Sequence, residues 1–462
     1  MDSRGLLAIW VGKVAIGLSR WLGKGGSTFP GRVARRIDPD LLKKLARLPK
    51  EGNIMVSGTN GKTTTSRMIA SILEAAGKKV VHNRAGANLL VGITTAYLAR
   101  ATWTGQLEVD VGLAEVDEAS VPKAARELAP RAITVTNFFR DQLDRYGELE
   151  HTFSFIREGL EQLPASGLAI LNADDPLVAS LAQFSPAPVT FYGLADPSLA
   201  QEEEETRDVR FCRQCGERLE YGRTYYAHLG WYHCPRCGFR RPEQDYAARS
   251  VRVGSRTTQL EVSTPAGDLE TEIAVPGVYN AYNALAAVAT TMSLGIAAEL
   301  VEKGLRNFVT SFGRMERLSM AGHDVFLALV KNPTGFNAVI KTLLTGPEKK
   351  NVIIAINDKY ADGTDISWLW DVDFERLAAA EDKINFVLAS GIRGEDMAVR
   401  LKYAGFPVQK LAIENDLKLA LEEGLRRAGT GEPLYILPTY TALLEMREII
   451  NKMGYGKPFW EE

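Results

Sequence analysis

Short apolar runs alternate with amphipathic stretches through the first half of the chain. Asn53–Ser57, Lys79–His82, Val109–Val116, Ala132–Thr136, Leu168–Asn172 and Pro188–Tyr192 read as buried strands, because their apolar residues are nearly continuous. Ser66–Ala76 and Thr152–Gln162 read as helices, with Gly77 as a C-terminal stop. This alternation predicts a mostly parallel sheet covered by helices on both faces. The pattern breaks at Gln201–Glu205, one Gln and four Glu, which reads as a solvated linker. Strand-like alternation resumes over Ser250–Val262, and Tyr279–Leu294 reads as a helix leading to Gly313-Arg314-Met315-Glu316. Beyond Asp324 a second α/β pattern places strands at Val325–Val330, Asn351–Ile356, Asn385–Ala389 and Tyr435–Leu437.

The N-terminus is apolar from Gly5 to Leu22, interrupted by Lys13 and Arg20. It is too broken for a transmembrane helix, and it has neither the basic region nor the cleavage site of a signal peptide. Leu6, Leu7, Trp10, Val14, Leu18 and Trp21 recur at helical spacing. The stripe is expected to pack on the following domain. The alternative is an interfacial helix, with Trp10 and Trp21 at headgroup level and Lys13, Arg20 and Lys24 facing anionic lipid.

The chain has 462 residues, room for about three domains of ordinary size. Its 45% apolar and 24% charged residues exclude a disordered chain, and a core of this size needs no disulfides. With 55 Lys and Arg against 57 Asp and Glu, the net charge of −2 argues against a nucleic-acid binder.

The segment Ile54-Met55-Val56-Ser57-Gly58-Thr59-Asn60-Gly61-Lys62-Thr63-Thr64 runs from a strand through a small-residue turn into a helix. Gly58, Thr59, Asn60, Gly61 and Thr64 would let backbone N–H groups close around phosphate. Lys62 would reach the β- and γ-phosphates of ATP, and the Thr63 hydroxyl would hold Mg²⁺. The common form of this loop has Gly where Val56 stands, so this is a variant. Glu115, at the end of a strand, can face the same Mg²⁺.

All four cysteines lie in two pairs, Cys212-x-x-Cys215 and Cys234-x-x-Cys237, separated by 18 residues. This is the spacing of a structural Cys₄ zinc ribbon, whose four thiolates leave no open position for catalysis. A pair of disulfides is the alternative, disfavoured without a signal peptide. His228 and His233 read as surface or packing residues.

Gly58-Thr59-Asn60-Gly61-Lys62-Thr63-Thr64 resembles the loop of the Mur ligases and folylpolyglutamate synthases. Ala114-Glu115-Val116-Asp117-Glu118, Thr136-Asn137, Asn172-Ala173-Asp174-Asp175-Pro176, Asn280-Ala281-Tyr282-Asn283, Gly313-Arg314-Met315-Glu316 and Lys331-Asn332-Pro333 follow in the order of that family. The resemblance implies phosphorylation of a carboxylate by ATP and attack of an amine on the acyl phosphate. It also implies that Asn280 and Asn283 contact the nucleotide and that Arg314 acts from the linker before the last domain. Gln142 stands where Mur ligases have His, a weaker ligand for a second metal.

The resulting fold class is α/β. A helical segment, 1–48, precedes a Mur ligase-like P-loop central domain with a parallel sheet, 49–318. A zinc ribbon is inserted at about 208–242, and a C-terminal α/β domain covers 319–462. The ribbon and the segment Asn357-Asp358-Lys359-Tyr360-Ala361-Asp362-Gly363-Thr364-Asp365 are similar to the MurT family, the synthetase subunits of lipid II isoglutaminyl synthase. That resemblance implies a GatD-like glutaminase partner that supplies ammonia, and lipid II as substrate. The product would be D-isoglutamine in the stem peptide, for peptidoglycan synthesis. It implies a cytoplasmic site of action, with the inner membrane face as an option. Asp365 would reach the partner's catalytic His, with Asp358 and Asp362 as runners-up. Chemistry agrees: if zinc takes all four thiolates, no Cys nucleophile remains for a glutaminase of its own. The alternatives are an amino-acid-adding Mur or folylpolyglutamate-type ligase, and a nucleotide-binding scaffold without ligase activity.

Overall fold

A computed structural model describes residues 1–21, 26–84, 86–140, 149–200, 208–310, 313–429 and 431–455. The Gln201–Glu205 linker, Gln142 and Lys24 lie outside the described residues.

The larger sheet has nine strands. Six come from the first α/β unit: β1 Asn53–Ser57, β2 Val80–His82, β3 Val111–Glu115, β4 Ala132–Val135, β5 Leu168–Asn172 and β6 Val189–Leu194. After the small hairpin of β7 Glu220–Tyr226 and β8 Leu229–His233 come β9 Tyr246–Val253, β10 Thr258–Thr264 and β11 Gly267–Ile273. The order is β11-β10-β9-β6-β5-β4-β1-β3-β2. From β2 to β9 all neighbours are parallel, and β9, β10 and β11 form an antiparallel edge. The single strand-like run Ser250–Val262 is therefore two strands, reversed at Gly254, whose N–H donates to the Thr257 carbonyl.

β1, β3 and β4 are buried along their whole length, which accounts for their near-continuous apolar sequence. β1 lies centrally: the chain visits β2 and β3 on one side and returns to β4, β5 and β6 on the other. The carboxyl end of β1 is thus a topological switch point, where open α/β sheets bind ligands. Helices Lys62–Ala75 and Val278–Ser293 cover one face, with Ile69, Ile72, Leu285 and Val288 in one core.

The second sheet runs β12 Arg314–Met320, β13 His323–Ala328, β17 Leu434–Pro438, β14 Lys350–Ala355, β15 Ile384–Ser390 and β16 Leu411–Ile413, in that spatial order. Only β12 is antiparallel to its neighbour. This sheet begins at Arg314, inside the stretch expected to close the central domain. Buried Arg447 pairs with Glu316 and ties the last helix to the start of this sheet.

The N-terminal helix Ser3–Trp21 corrects an expectation. Its buried face is Gly5, Ala8, Ile9, Gly12, Ala15 and Ser19, while Leu7, Trp10, Val14, Leu18 and Trp21 are exposed. Small residues face inward because the neighbouring helices come close. A Cβ on Gly12 would sit 2.3 Å from Leu98 Cδ2 and 3.2 Å from the Ala34 Cβ. Among the described residues no helix is long and apolar enough to cross a membrane.

Candidate active site

The nucleotide loop follows β1 and ends at helix Lys62–Ala75, which begins four residues before the sequence pattern suggests. Gly58 and Gly61 have φ of +123° and +86°. A Cβ at Gly58 would lie 2.3 Å from Thr136 Oγ1, and one at Gly61 only 2.0 Å from Asn283 Oδ1. Both positions therefore require glycine. The β4 end braces the loop: Thr59 N–H donates to the Asn137 carbonyl, Asn60 N–H to Asn137 Oδ1, and Thr136 Oγ1 to the Asn60 carbonyl.

Lys62 is buried. Its ammonium donates to the Gly58 and Thr59 carbonyls at 2.5 and 3.2 Å and pairs with Glu118 at 3.1 Å. Thr63 Oγ1 donates to Glu115 Oε1 at 3.0 Å. Asn83 fixes Glu115 by accepting from its N–H and donating to its carbonyl. Burial pushes the Glu115 carboxyl above the ordinary range, opposed by Lys62 and Arg314. Glu118 is raised for the same reason, again opposed by Lys62. Glu115 Oε2 is buried and accepts no hydrogen bond. A hydroxyl beside a carboxylate with one orphaned oxygen offers the oxygen ligands a small oxygen-loving cation takes.

A cavity opens beside this cluster, with about 770 Å³ of empty space counted out into its open mouth. Asn60, Gly61 and Thr64 form its floor, Tyr279, Asn280 and Asn283 one wall, and Arg314, Lys331 and Asn332 the side toward the second sheet. Asn283 Nδ2 donates to Asn280 Oδ1, and Asn280 Nδ2 to the Pro276 carbonyl. Asn332 caps helix Pro333–Leu343 through Gly335 N–H, and its amide donates to Asn60 Oδ1 at 3.1 Å. The second α/β unit thus touches the nucleotide loop directly.

The ribbon supplies the remaining wall. Tyr226 and Leu229, at the tip of the β7–β8 hairpin, line the cavity. Tyr226 lies against Phe139, and its hydroxyl donates to the Thr334 carbonyl. Arg241 binds buried Asp174 at 2.6 Å and lies over Trp231, and Tyr282 also donates to Asp174. His228 is buried against Phe139 and 3.5 Å from Asp175, while His233 is exposed beside Glu220. Asp175 caps helix Pro176–Ser180. The Asp174-Asp175 pair is therefore an anchor rather than part of the cavity lining.

The four cysteine sulfurs lie within 4.8 Å of one another, with Cys212–Cys237 at 3.6 Å and Cys215–Cys234 at 3.4 Å. All four are free thiols, which is against the disulfide alternative. A zinc–sulfur bond of about 2.3 Å gives tetrahedral sulfur edges of roughly 3.8 Å, so the cluster is compatible with zinc. The two pairs sit on matching turns. Gly216 N–H donates to the Cys212 carbonyl and Gly238 N–H to the Cys234 carbonyl, both glycines at φ +75°.

Asp365 lies on the surface, outside the cavity lining. Its carboxylate accepts from Ser367 N–H and Oγ, which holds it below the ordinary range. The other two acids of that loop are engaged within the chain. Asp362 is buried on Thr441 and Lys359 N–H, and Asp358 pairs with Arg393 at 2.6 Å.

Residues 56–221 match the family model of the Mur ligase middle domain, and residues 329–443 that of the MurT ligase C-terminal domain. The chain is 34% identical over 450 residues to the MurT subunit of lipid II isoglutaminyl synthase (glutamine-hydrolyzing) of Staphylococcus aureus strain COL, covering 97% of this chain and 98% of that one. This chain belongs to the MurT family. The MurT subunit of Streptococcus pneumoniae strain R6 is 34% identical over 440 residues, 94% of each chain. A pseudomurein peptide ligase type C from Methanothermus fervidus has the same fold, with a TM-score of 0.66, 23% identity and coverage of 87% and 79%.

Within this MurT-family site, sequence reading missed four contributors. Glu118 is three residues beyond Glu115 in an acidic segment that was already singled out. Tyr226 and Leu229 are apolar-faced residues of a hairpin flanked by the cysteine pairs, and nothing in their local sequence marks them as cavity residues. Asn332 looked family-like, but its partner Asn60 is 272 residues away.

Proposed function

We propose that this chain is the synthetase half of an amidotransferase acting on lipid II in peptidoglycan synthesis. The γ-phosphoryl group of ATP passes to an α-carboxylate oxygen of D-glutamate in the stem peptide, releasing ADP. Ammonia then attacks the acyl carbon and phosphate leaves, giving D-isoglutamine. Ammonia comes from glutamine through a separate GatD-like glutaminase subunit. The observation that carries this reading is the end-to-end match to MurT subunits, which includes their C-terminal domain.

Each residue role follows from position. Thr63 and Glu115 would hold Mg²⁺, which supplies charge neutralisation at the transferring phosphoryl group. Lys62 sits where its ammonium can leave the Gly58 carbonyl for phosphate oxygens, with Glu118 paired to it at 3.1 Å. Arg314 and Lys331 bring two further cations to the same cavity, and stabilising phosphoryl charge is most of the catalysis. Asn280 and Asn283 would position the nucleotide. Cys212, Cys215, Cys234 and Cys237 would bind a structural zinc. Asp365, the exposed acid of its loop, would orient the catalytic His of the partner. Exposed Tyr360, Trp370 and Tyr403 on the same unit, the latter two edge to face at 5.7 Å, suit a protein partner. The site of action would be cytoplasmic, with the inner membrane face as the alternative for a lipid-linked substrate.

The test is an amidation assay with purified chain, ATP, Mg²⁺, lipid II and ammonium chloride. The expected product is lighter by the difference between hydroxyl and amino, with ADP released, and glutamine replaces ammonium only when the glutaminase is added. Turnover with an amino acid but not with ammonium would transfer the chain to the amino-acid-adding ligases.

A further inference from the structure

The exposed stripe of the N-terminal helix has an apolar character unusual for a solvent face. Leu7, Trp10, Val14, Leu18 and Trp21 follow one another at three- and four-residue steps, with Val14 63% and Trp21 81% exposed. Such patches mark interaction sites. The opposite face, built on small residues, already packs on the protein, so the large apolar face is left over.

Charge identifies what it meets. Between Asp2 and Asp38 the chain has seven Lys or Arg and no acid. Residues 1–48 carry ten basic and three acidic residues, a net of +7, whereas the remaining 414 carry 45 basic and 54 acidic, a net of −9. Arg4, Arg20, Arg32 and Arg36 are exposed. Trp10 Nε1 donates to the Trp103 carbonyl, and Lys13 lies over the Trp103 ring, so a third exposed tryptophan extends the stripe. Apolar residues with tryptophans, followed by cations with no acid until Asp38, form the composition of an interfacial helix on an anionic bilayer.

Orientation agrees. Leu6 approaches Gly105, and Gly12 approaches Leu98, so the helix runs antiparallel to helix Leu90–Arg100. Its Trp21 end therefore lies toward Leu90. The nearby Asn88 carbonyl accepts from Asp117 N–H, just past Glu115. The stripe thus ends on the side of the sheet that holds the nucleotide loop.

We propose that the face Leu7–Trp21 is a peripheral docking surface for an anionic lipid bilayer, seating the active-site edge of the central sheet at the membrane. The surface is argued from its own residues and does not depend on the proposed acceptor carboxylate.

The experiment is flotation of the full-length chain with vesicles that contain no lipid II, so that a failed docking surface is distinguishable from a failed amidation reading. Vesicles of phosphatidylcholine alone are compared with vesicles containing about 30% phosphatidylglycerol. The expected result is at least about tenfold stronger binding to the anionic vesicles, weakened by salt. The triple variant Val14→Ser, Leu18→Ser, Trp21→Ser should lose that binding, with ATP affinity unchanged as proof of folding. The variant Arg20→Gln, Arg32→Gln, Arg36→Gln should lose the salt-sensitive part. No binding of the intact chain to anionic vesicles, or equal binding by the triple variant, overturns the proposal. Loss of glutaminase association in the triple variant, with vesicle binding retained, would assign the face to the partner instead.

Discussion

Lys62, Thr63, Glu115 and Glu118 come from two strand ends and meet within hydrogen-bond distance, with Lys62 and both carboxyls buried together. Lys62→Ala should lower ATP-dependent turnover about a hundredfold or more, since little else replaces a buried cation on a phosphoryl group. Unchanged turnover would remove Lys62 from the mechanism. Glu115 gives a sharper test because burial raises its pKa. Its protonated form is the one the fold favours. Stability from this group is present at low pH and is lost as pH rises from the ordinary carboxylate value through the raised one. Mg²⁺ binding needs the ionised form, so Mg²⁺-dependent ATP affinity should fall on acidification at a pH above that of an exposed carboxylate. Glu115→Gln should leave the nucleotide-free chain as stable or more stable at neutral pH while abolishing Mg²⁺-dependent ATP binding, read by calorimetry. A destabilised variant with normal Mg²⁺ dependence would make Glu115 a packing residue. These residues were legible because the loop is local: strand, small turn, Lys-Thr and helix lie within one short segment. Glu118 was not singled out as a site residue, because only the fold brings it to Lys62.

At the scale of elements, the ribbon connects the four-cysteine cluster to the wall of the cavity. Its cysteines tie one end of the β7–β8 hairpin, Arg241 fixes its base to Asp174, and Tyr226 and Leu229 at the tip line the cavity. Tyr226→Ala should weaken ATP binding by about 1 kcal/mol, roughly fivefold, through lost ring contacts. Cys212→Ser should lower zinc content and thermal stability and weaken ATP affinity alongside, because the hairpin loses its tie. Full zinc content with normal affinity in Cys212→Ser would separate ribbon and pocket. The cysteine spacing announced the ribbon, but not where its tip goes. Strands of the parallel sheet were legible from their apolar runs. Helices Leu90–Arg100 and Val121–Leu128 were not singled out. Helix Ser3–Trp21 has an apolar stripe that gave its position but misled about its direction. Close packing against Leu98 and Ala34 selects glycine and alanine for the inner face, and that contact is invisible to periodicity.

The whole molecule places two α/β units around one cleft. The first unit presents the nucleotide loop, and the second closes the cleft with Arg314, Lys331 and Asn332 while carrying Asp365 on its outer surface. This separation predicts separable chemistry. Asp365→Asn should reduce glutamine-driven amidation strongly and spare ammonium-driven amidation, because ammonium bypasses the glutaminase. Equal losses with both nitrogen sources would place Asp365 in the synthetase reaction. The central claim is that ATP activates a glutamate carboxylate as an acyl phosphate before nitrogen arrives. It is tested most directly with lipid II carrying ¹⁸O in the α-carboxylate of its D-glutamate, turned over with ATP and ammonium, with the released phosphate analysed by mass. The account predicts one ¹⁸O transferred to phosphate for each amide formed. Amide formed with unlabelled phosphate would contradict it.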